Sequence, residues 1–96
     1  MSRNITTKAA SAFRWKENFT SGNTKVVHED GVTMLYLFGN LIAKQDKFRL
    51  EISNAGWFSP TTKERLNGLE RVNLQQQAGK WYLNGREWNG EWTKVD

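Results

Sequence analysis

Ser59-Pro60-Thr61-Thr62-Lys63-Glu64-Arg65 is the stretch of this chain richest in groups that could do chemistry. Serine followed by proline reads as a helix N-cap with Pro60 at the first helical position. Thr61-Thr62-Lys63-Glu64 offers a competing capping box one register later. A helix start presents free N–H groups and the positive end of a dipole, which suits phosphate. Thr61 and Thr62 add hydroxyls, and Lys63 and Arg65 add charge. Cations in a first turn oppose the dipole by roughly a few tenths of a kcal/mol, and a docked anion would offset that cost. Ordinary capping, with Glu64 countering one charge, is the plainer reading. Ser59, Thr61, Thr62, Lys63 and Arg65 are the candidate nucleic-acid or anion-binding residues.

Aromatics supply the second candidate chemistry. Trp57-Phe58 precede the helix start, and adjacent side chains in an extended segment point to opposite sides. One can enter the core while the other lies nearer the surface, where a Trp can stack on a base. Packing is the default for both. Near the C-terminus, "KWYLNGREWNGEW" holds three of the five tryptophans and two Asn-Gly dipeptides. If Asn84-Gly85 is a two-residue hairpin turn, Leu83 pairs with Arg86 and Trp81 lies opposite Trp88. If Asn89-Gly90 were a second such turn, only Arg86–Trp88 would remain between them, barely a strand. One Asn-Gly therefore belongs to an irregular loop, and the segment is more economically a closing hairpin than a binding platform. Trp88, at the doubtful turn, is the tryptophan expected outside the core. Trp57, Trp88 and Arg86 are the candidate partner-binding residues, because Trp and Arg are enriched in interface hot spots.

Catalysis finds little support. His28 is the only histidine and stands beside Glu29 and Asp30 at an expected turn. No nucleophile can be placed beside an oriented base. One histidine with scattered carboxylates is a poor supply of zinc ligands. No phosphate loop, dinucleotide fingerprint or His-Glu-x-x-His occurs. The expectation is a protein that is not an enzyme, with no catalytic residues, no metal and no cofactor.

The elements that must position these residues fit one domain, residues 1–96. There is no cysteine, so disulfides and thiolate metal sites are excluded. "MSRNITTKAASAF" lacks the apolar region of a signal peptide. The most apolar stretch, residues 32–43, is too short to span a bilayer. The net charge of +4 is carried by residues 1–28, where five cations face Glu17 alone; the remainder holds nine of each sign. Such a balance aids association with anionic partners without specifying any.

Asn4 is expected to cap a helix over about residues 5–17, with Ile5, Ala9, Ala12 and Phe13 on one stripe. Lys8, Arg14 and Lys16 do not share a face, so they form no basic ridge. "FTSGN" follows as a turn. Thr24–Glu29, a type I′ turn at Asp30-Gly31 and Val32–Phe38 read as a hairpin. The second strand is apolar on both faces, which suits a sheet centre covered on both sides or a subunit contact, such as that of a homodimer. Gly39-Asn40 reads as a bulge or bend before a short "LIA" continuation, and "AKQDK" as the next turn. Phe48, Leu50 and Ile52 alternate with polar residues as a half-buried strand. A second helix carries Leu66 and Leu69 to the sheet and ends near Asn67-Gly68, two turns long. Val72–Gln76, Lys80–Leu83 and about Glu91–Val95 supply the last strands. The fold class is α+β: a helix, a three-stranded antiparallel meander, a helix and C-terminal strands, with the sheet and second helix over about residues 24–95. The first five elements share their order with double-stranded-RNA-binding domains, as do many small α+β folds.

"NTKVV", "LYLFGNLIA", "LEISNAGWFSPTTKERLNGL" and "GKWYLNGREWNGEW" together resemble small accessory proteins of tailed bacteriophages. The likeness covers roughly residues 18–92, and Thr61–Asn67 is its most specific part. It brings no activity and no site residues. It implies an accessory protein acting in the cytoplasm of a bacterial host cell. The expected function is a non-enzymatic binding module that inhibits or redirects a host protein, nucleoprotein or defence complex. The alternative is direct binding of DNA or RNA through the Thr61–Arg65 helix start and the N-terminal cations. No membrane partner is expected.

Overall fold

The computed structural model describes residues 2–95. Helix α1 spans Ser2–Trp15. It begins earlier than expected, so Asn4 lies within the first turn and does not cap it. Ala9, Ala12 and Phe13 are buried, as their shared stripe requires. Lys16 takes a left-handed φ of 61°, and the Glu17 N–H donates to the Ala12 carbonyl at 2.8 Å. That six-residue closure ends the helix.

The next strands form a continuous antiparallel meander: β1 (Phe19–Ser21), β2 (Thr24–Glu29), β3 (Val32–Leu37), β4 (Asn40–Gln45) and β5 (Leu50–Ile52). Asp30 and Gly31 both have positive φ, 53° and 80°, as a type I′ turn demands. The expected three-stranded meander is thus five-stranded. "FTS" is a strand rather than part of a turn, pairing Phe19 with Val26. Gly39-Asn40 is not a bend in a continuing strand. Phe38 and Gly39 form a second turn with φ of 51° and 78°, and β4 runs back along β3 with Leu37 opposite Asn40. A Phe in the left-handed region is uncommon, and it displaces the turn by one residue from the Gly-Asn that the sequence suggests. Lys44 and Gln45, expected in a turn, lie in β4. Phe48 precedes β5 and is exposed. The two extra strands also end the parallel with the double-stranded-RNA-binding order.

Helix α2 (Pro60–Asn67) follows, eight residues long. Three short strands then form a separate sheet: β6 (Leu74–Gln77), β7 (Lys80–Leu83) and β8 (Arg86–Trp88). The last strand, β9 (Thr93–Val95), leaves that sheet and pairs with β5, completing a six-stranded sheet of order β1-β2-β3-β4-β5-β9.

One face of the large sheet is buried. Val26, Leu35, Ala43 and Ile52 stand in cross-strand register on it and pack with Phe13, Leu66 and Leu69. The same apolar cluster includes Leu74, Trp81 and Trp88, so both sheets share one core. On the opposite face Val27, Met34, Tyr36 and Leu41 are only half-buried. β3 therefore alternates, and the expectation of cover on both of its faces fails. Gly68, at the end of α2, has no room for a Cβ beside the Thr6 methyl of α1, which sets how closely the two helices approach.

Candidate interaction site

The start of α2 has the expected local form. Ser59 is the N-cap, with φ −106° and ψ 155°, and its Oγ accepts from the Thr62 N–H at 3.2 Å. The Thr62 hydroxyl lies 3.0 Å from the same oxygen. Pro60 opens the helix. The side chains that were to receive an anion do not converge, however. Thr62 is buried, and Arg65 is only 3% exposed.

Arg65 points into the protein. Its Nε donates to Thr24 Oγ1 at 2.9 Å, and its Nη1 donates to Thr6 Oγ1 at 2.8 Å and to Glu64 Oε1 at 2.7 Å. Nη2 reaches Asn23 Oδ1 at 3.4 Å. The guanidinium fork thus ties α2 to α1 and to β2, and it is occupied. Lys63 turns toward the small sheet, donating to Gln76 Oε1 at 3.1 Å and lying 5.9 Å from the Trp81 ring centre. Only Ser59, Thr61 and Lys63 of the five anion candidates reach the surface, and Lys63 is directed away from the cap.

The aromatic candidates are also redistributed. The register places Trp81 opposite Trp88 and Leu83 opposite Arg86, as the Asn84-Gly85 turn requires. Trp88 is nevertheless buried, which corrects the expectation that it stands outside the core. Its Nε1–H donates to the Glu91 carbonyl at 3.0 Å and the Thr93 hydroxyl at 2.8 Å. The loop that carries the chain to β9 wraps this indole and satisfies its polar atom. Trp81 is buried beside it, ring centres 6.2 Å apart, and Phe58 meets Trp81 edge-on at 5.2 Å. Arg86 is exposed.

Trp57 and Phe58 are both exposed, so neither enters the core as the packing default expects. A tight turn sets this. Ala55 and Gly56 have φ of 55° and 86°, and the Trp57 N–H returns to the Asn54 carbonyl at 2.8 Å. Asn54 Oδ1 accepts from the Gly56 N–H at 2.8 Å. Trp57, 61% exposed, stands at one side of a cleft of about 450 Å³. Phe38, 69% exposed at the β3–β4 turn, stands at another. Leu37, Ile42 and Thr61 contribute to the wall, with Asn54.

Two residues of this cleft escape the sequence reading. Phe38 looks like the last apolar residue of a strand, and only the one-residue shift of the turn exposes it. Asn54 carries no sequence signal; its place depends on Gly90, 36 positions later in the numbering. The second Asn-Gly is indeed in an irregular loop, and there the Gly90 carbonyl accepts from the Asn54 N–H and Ser53 Oγ, each at 3.0 Å.

His28 is a strand residue whose Nδ1 lies 2.9 Å from Thr33 Oγ1. Among the described residues, no group of His, Cys, Asp or Glu is placed to hold a metal ion, and no helix is long and apolar enough to cross a membrane.

A helix-bearing α+β domain with a large antiparallel sheet, a small second sheet and an aromatic-rimmed cleft is the class of protein that these elements define. The chain belongs to the Kyanoviridae Gp96 protein family, whose model matches residues 2–95, and the protein is of phage origin. No curated protein and no solved structure gives a significant match.

Proposed function

We propose that this phage protein is a non-enzymatic binding module that inhibits or redirects a host protein or defence complex in the infected cell's cytoplasm. The observation that carries the reading is the pair of large exposed aromatics, Phe38 and Trp57, framing one cleft. A monomer gains nothing from leaving two such side chains in water when each could contribute roughly 1.5–3 kcal/mol by burial. Aromatic anchors around a water-excluding centre are the usual anatomy of a protein interface. Thr62 and Arg65 are committed inside the fold, which removes two of the groups on which direct nucleic-acid binding through α2 would depend.

Affinity capture from host lysate with the full chain tests the reading, using wild type against a Phe38→Ala/Trp57→Ala variant. The expected result is one specific host protein, retained by wild type at raised salt and lost by the variant. Titration of labelled single- and double-stranded DNA and RNA at two salt concentrations provides the counter-test. Affinity for nucleic acid that collapses with ionic strength, with no protein captured, would establish the alternative.

A further inference from the structure

We infer that the cleft between the β3–β4 turn and the start of α2 seats an uncharged apolar side chain of a polypeptide partner. A partner backbone carbonyl accepts a hydrogen bond from Asn54 Nδ2. This rests on the binding function proposed above and specifies the chemistry of the partner at one site.

The wall decides the class of ligand. Leu37, Phe38, Ile42 and Trp57 make it apolar, and no charged residue lines it among those described. A phosphate or carboxylate entering here would lose its hydration without a counter-charge. An aliphatic or aromatic side chain would not. The volume, about 450 Å³, lies within the range of specific binding clefts.

Asn54 supplies the polar half of the recognition. It lines the cleft yet is only 1% exposed. Its Oδ1 is fixed by the Gly56 N–H, so the identity of the amide's two ends is settled by bonding. Its Nδ2 finds no acceptor among the described residues. A buried donor left this way is costly, and native folds keep few of them. The side chain has little freedom to turn elsewhere, because Gly90 packs so closely that a Cβ there would overlap the carboxamide. A fixed donor at an apolar wall calls for a neutral acceptor delivered together with apolar bulk. A peptide carbonyl beside an apolar side chain is that combination. The exposed rim points to a polypeptide over a free small molecule: a small ligand would fill the cleft and leave the outer faces of Phe38 and Trp57 wet, whereas a chain crossing it covers both.

The test uses the isotope-labelled full chain and two probes, N-acetyl-leucine-N-methylamide and N-acetyl-phenylalanine-N-methylamide, with toluene as the carbonyl-free comparison. Amide and methyl NMR spectra report the site. The expected result is saturable shifts of the Asn54 side-chain NH2, the Trp57 indole N–H and the Leu37 and Ile42 methyls. Toluene should move the methyls and leave the Asn54 NH2 in place. Trp57→Ala, a surface change, should weaken probe binding several-fold with the rest of the spectrum unchanged. Absence of saturable shifts at these residues up to the probes' solubility overturns the inference. So does equal binding of all three probes with a silent Asn54 amide. Loss of host-protein capture in Phe38→Ala/Trp57→Ala, with silent probes, sustains the binding module and removes this cleft chemistry. Probes that seat while the variant still captures its partner uphold the cleft's chemistry and overturn the proposed partner surface.

Discussion

Arg65 donates from Nε to Thr24 Oγ1 across 2.9 Å, joining residues 41 positions apart inside the protein. Thr24 in turn donates to Asn23 Oδ1 at 2.8 Å, so the guanidinium is the centre of a small polar network. Arg65→Ala leaves the Thr24 and Thr6 hydroxyls without their charged donor and opens a gap between α2 and β2. The expected loss is about 3 kcal/mol, because hydrogen bonds to a charged group and unsatisfied buried partners both count. Urea denaturation measures it. Arg65→Lys should recover only part of the loss, since an ammonium cannot reproduce the planar fork.

Gly90 and Gly85 both have strongly positive φ, 92° and 89°, but different surroundings. A Cβ on Gly85 meets open space, and one on Gly90 meets Asn54. Gly85→Ala is therefore expected to cost about 1–2 kcal/mol, the backbone penalty alone. Gly90→Ala adds a steric conflict with a buried carboxamide and should cost clearly more. Thermal denaturation of the two variants makes the comparison. Equal losses would show that Asn54 yields to the new methyl.

Trp88 and Trp57 have exchanged the roles that their sequence positions suggest. Trp88→Ala empties a buried indole site and removes its two hydrogen bonds, so a loss of about 3–5 kcal/mol is expected. Trp57→Ala and Phe38→Ala, at exposed positions, should each stay within about 0.5 kcal/mol of wild type. Calorimetry of the three single variants checks the contrast. Partner capture should follow the opposite order.

Asp46 closes the β4–β5 turn, its Oδ1 accepting from the Phe48 N–H at 2.8 Å and the Arg49 N–H at 2.9 Å. These two backbone donors, Phe48 first, hold its carboxyl below the model value of 3.8. The native state therefore prefers the ionised form more than the unfolded chain does. The stabilisation is present above the unfolded pKa and is lost as the pH falls through the lower folded one. An NMR titration of the Asp46 carboxyl should find its midpoint under the ordinary aspartate value. Asp46→Asn should flatten the acid side of the stability profile.

Several features of this protein are determined by neighbouring residues alone. Asp30-Gly31 and Asn84-Gly85 demand left-handed backbone, and each produces its hairpin and register, down to Trp81 opposite Trp88. Ser59-Pro60 starts α2 because the cap and the proline act within one turn of helix. The phage likeness was also legible in the linear sequence, and the family match bears it out. The tertiary structure decided which groups were left for a partner. Arg65 reads as a surface cation until Thr24 and Thr6 arrive from other elements to receive it. Trp88 reads as exposed until the loop through Glu91 and Thr93 folds over its indole. Phe38 reads as strand core until pairing with β4 moves the turn onto it. Asn54 has no signal at all before Gly90 is laid against it. Turn and cap chemistry is settled within about four residues, whereas burial depends on surfaces that meet only when distant segments pack.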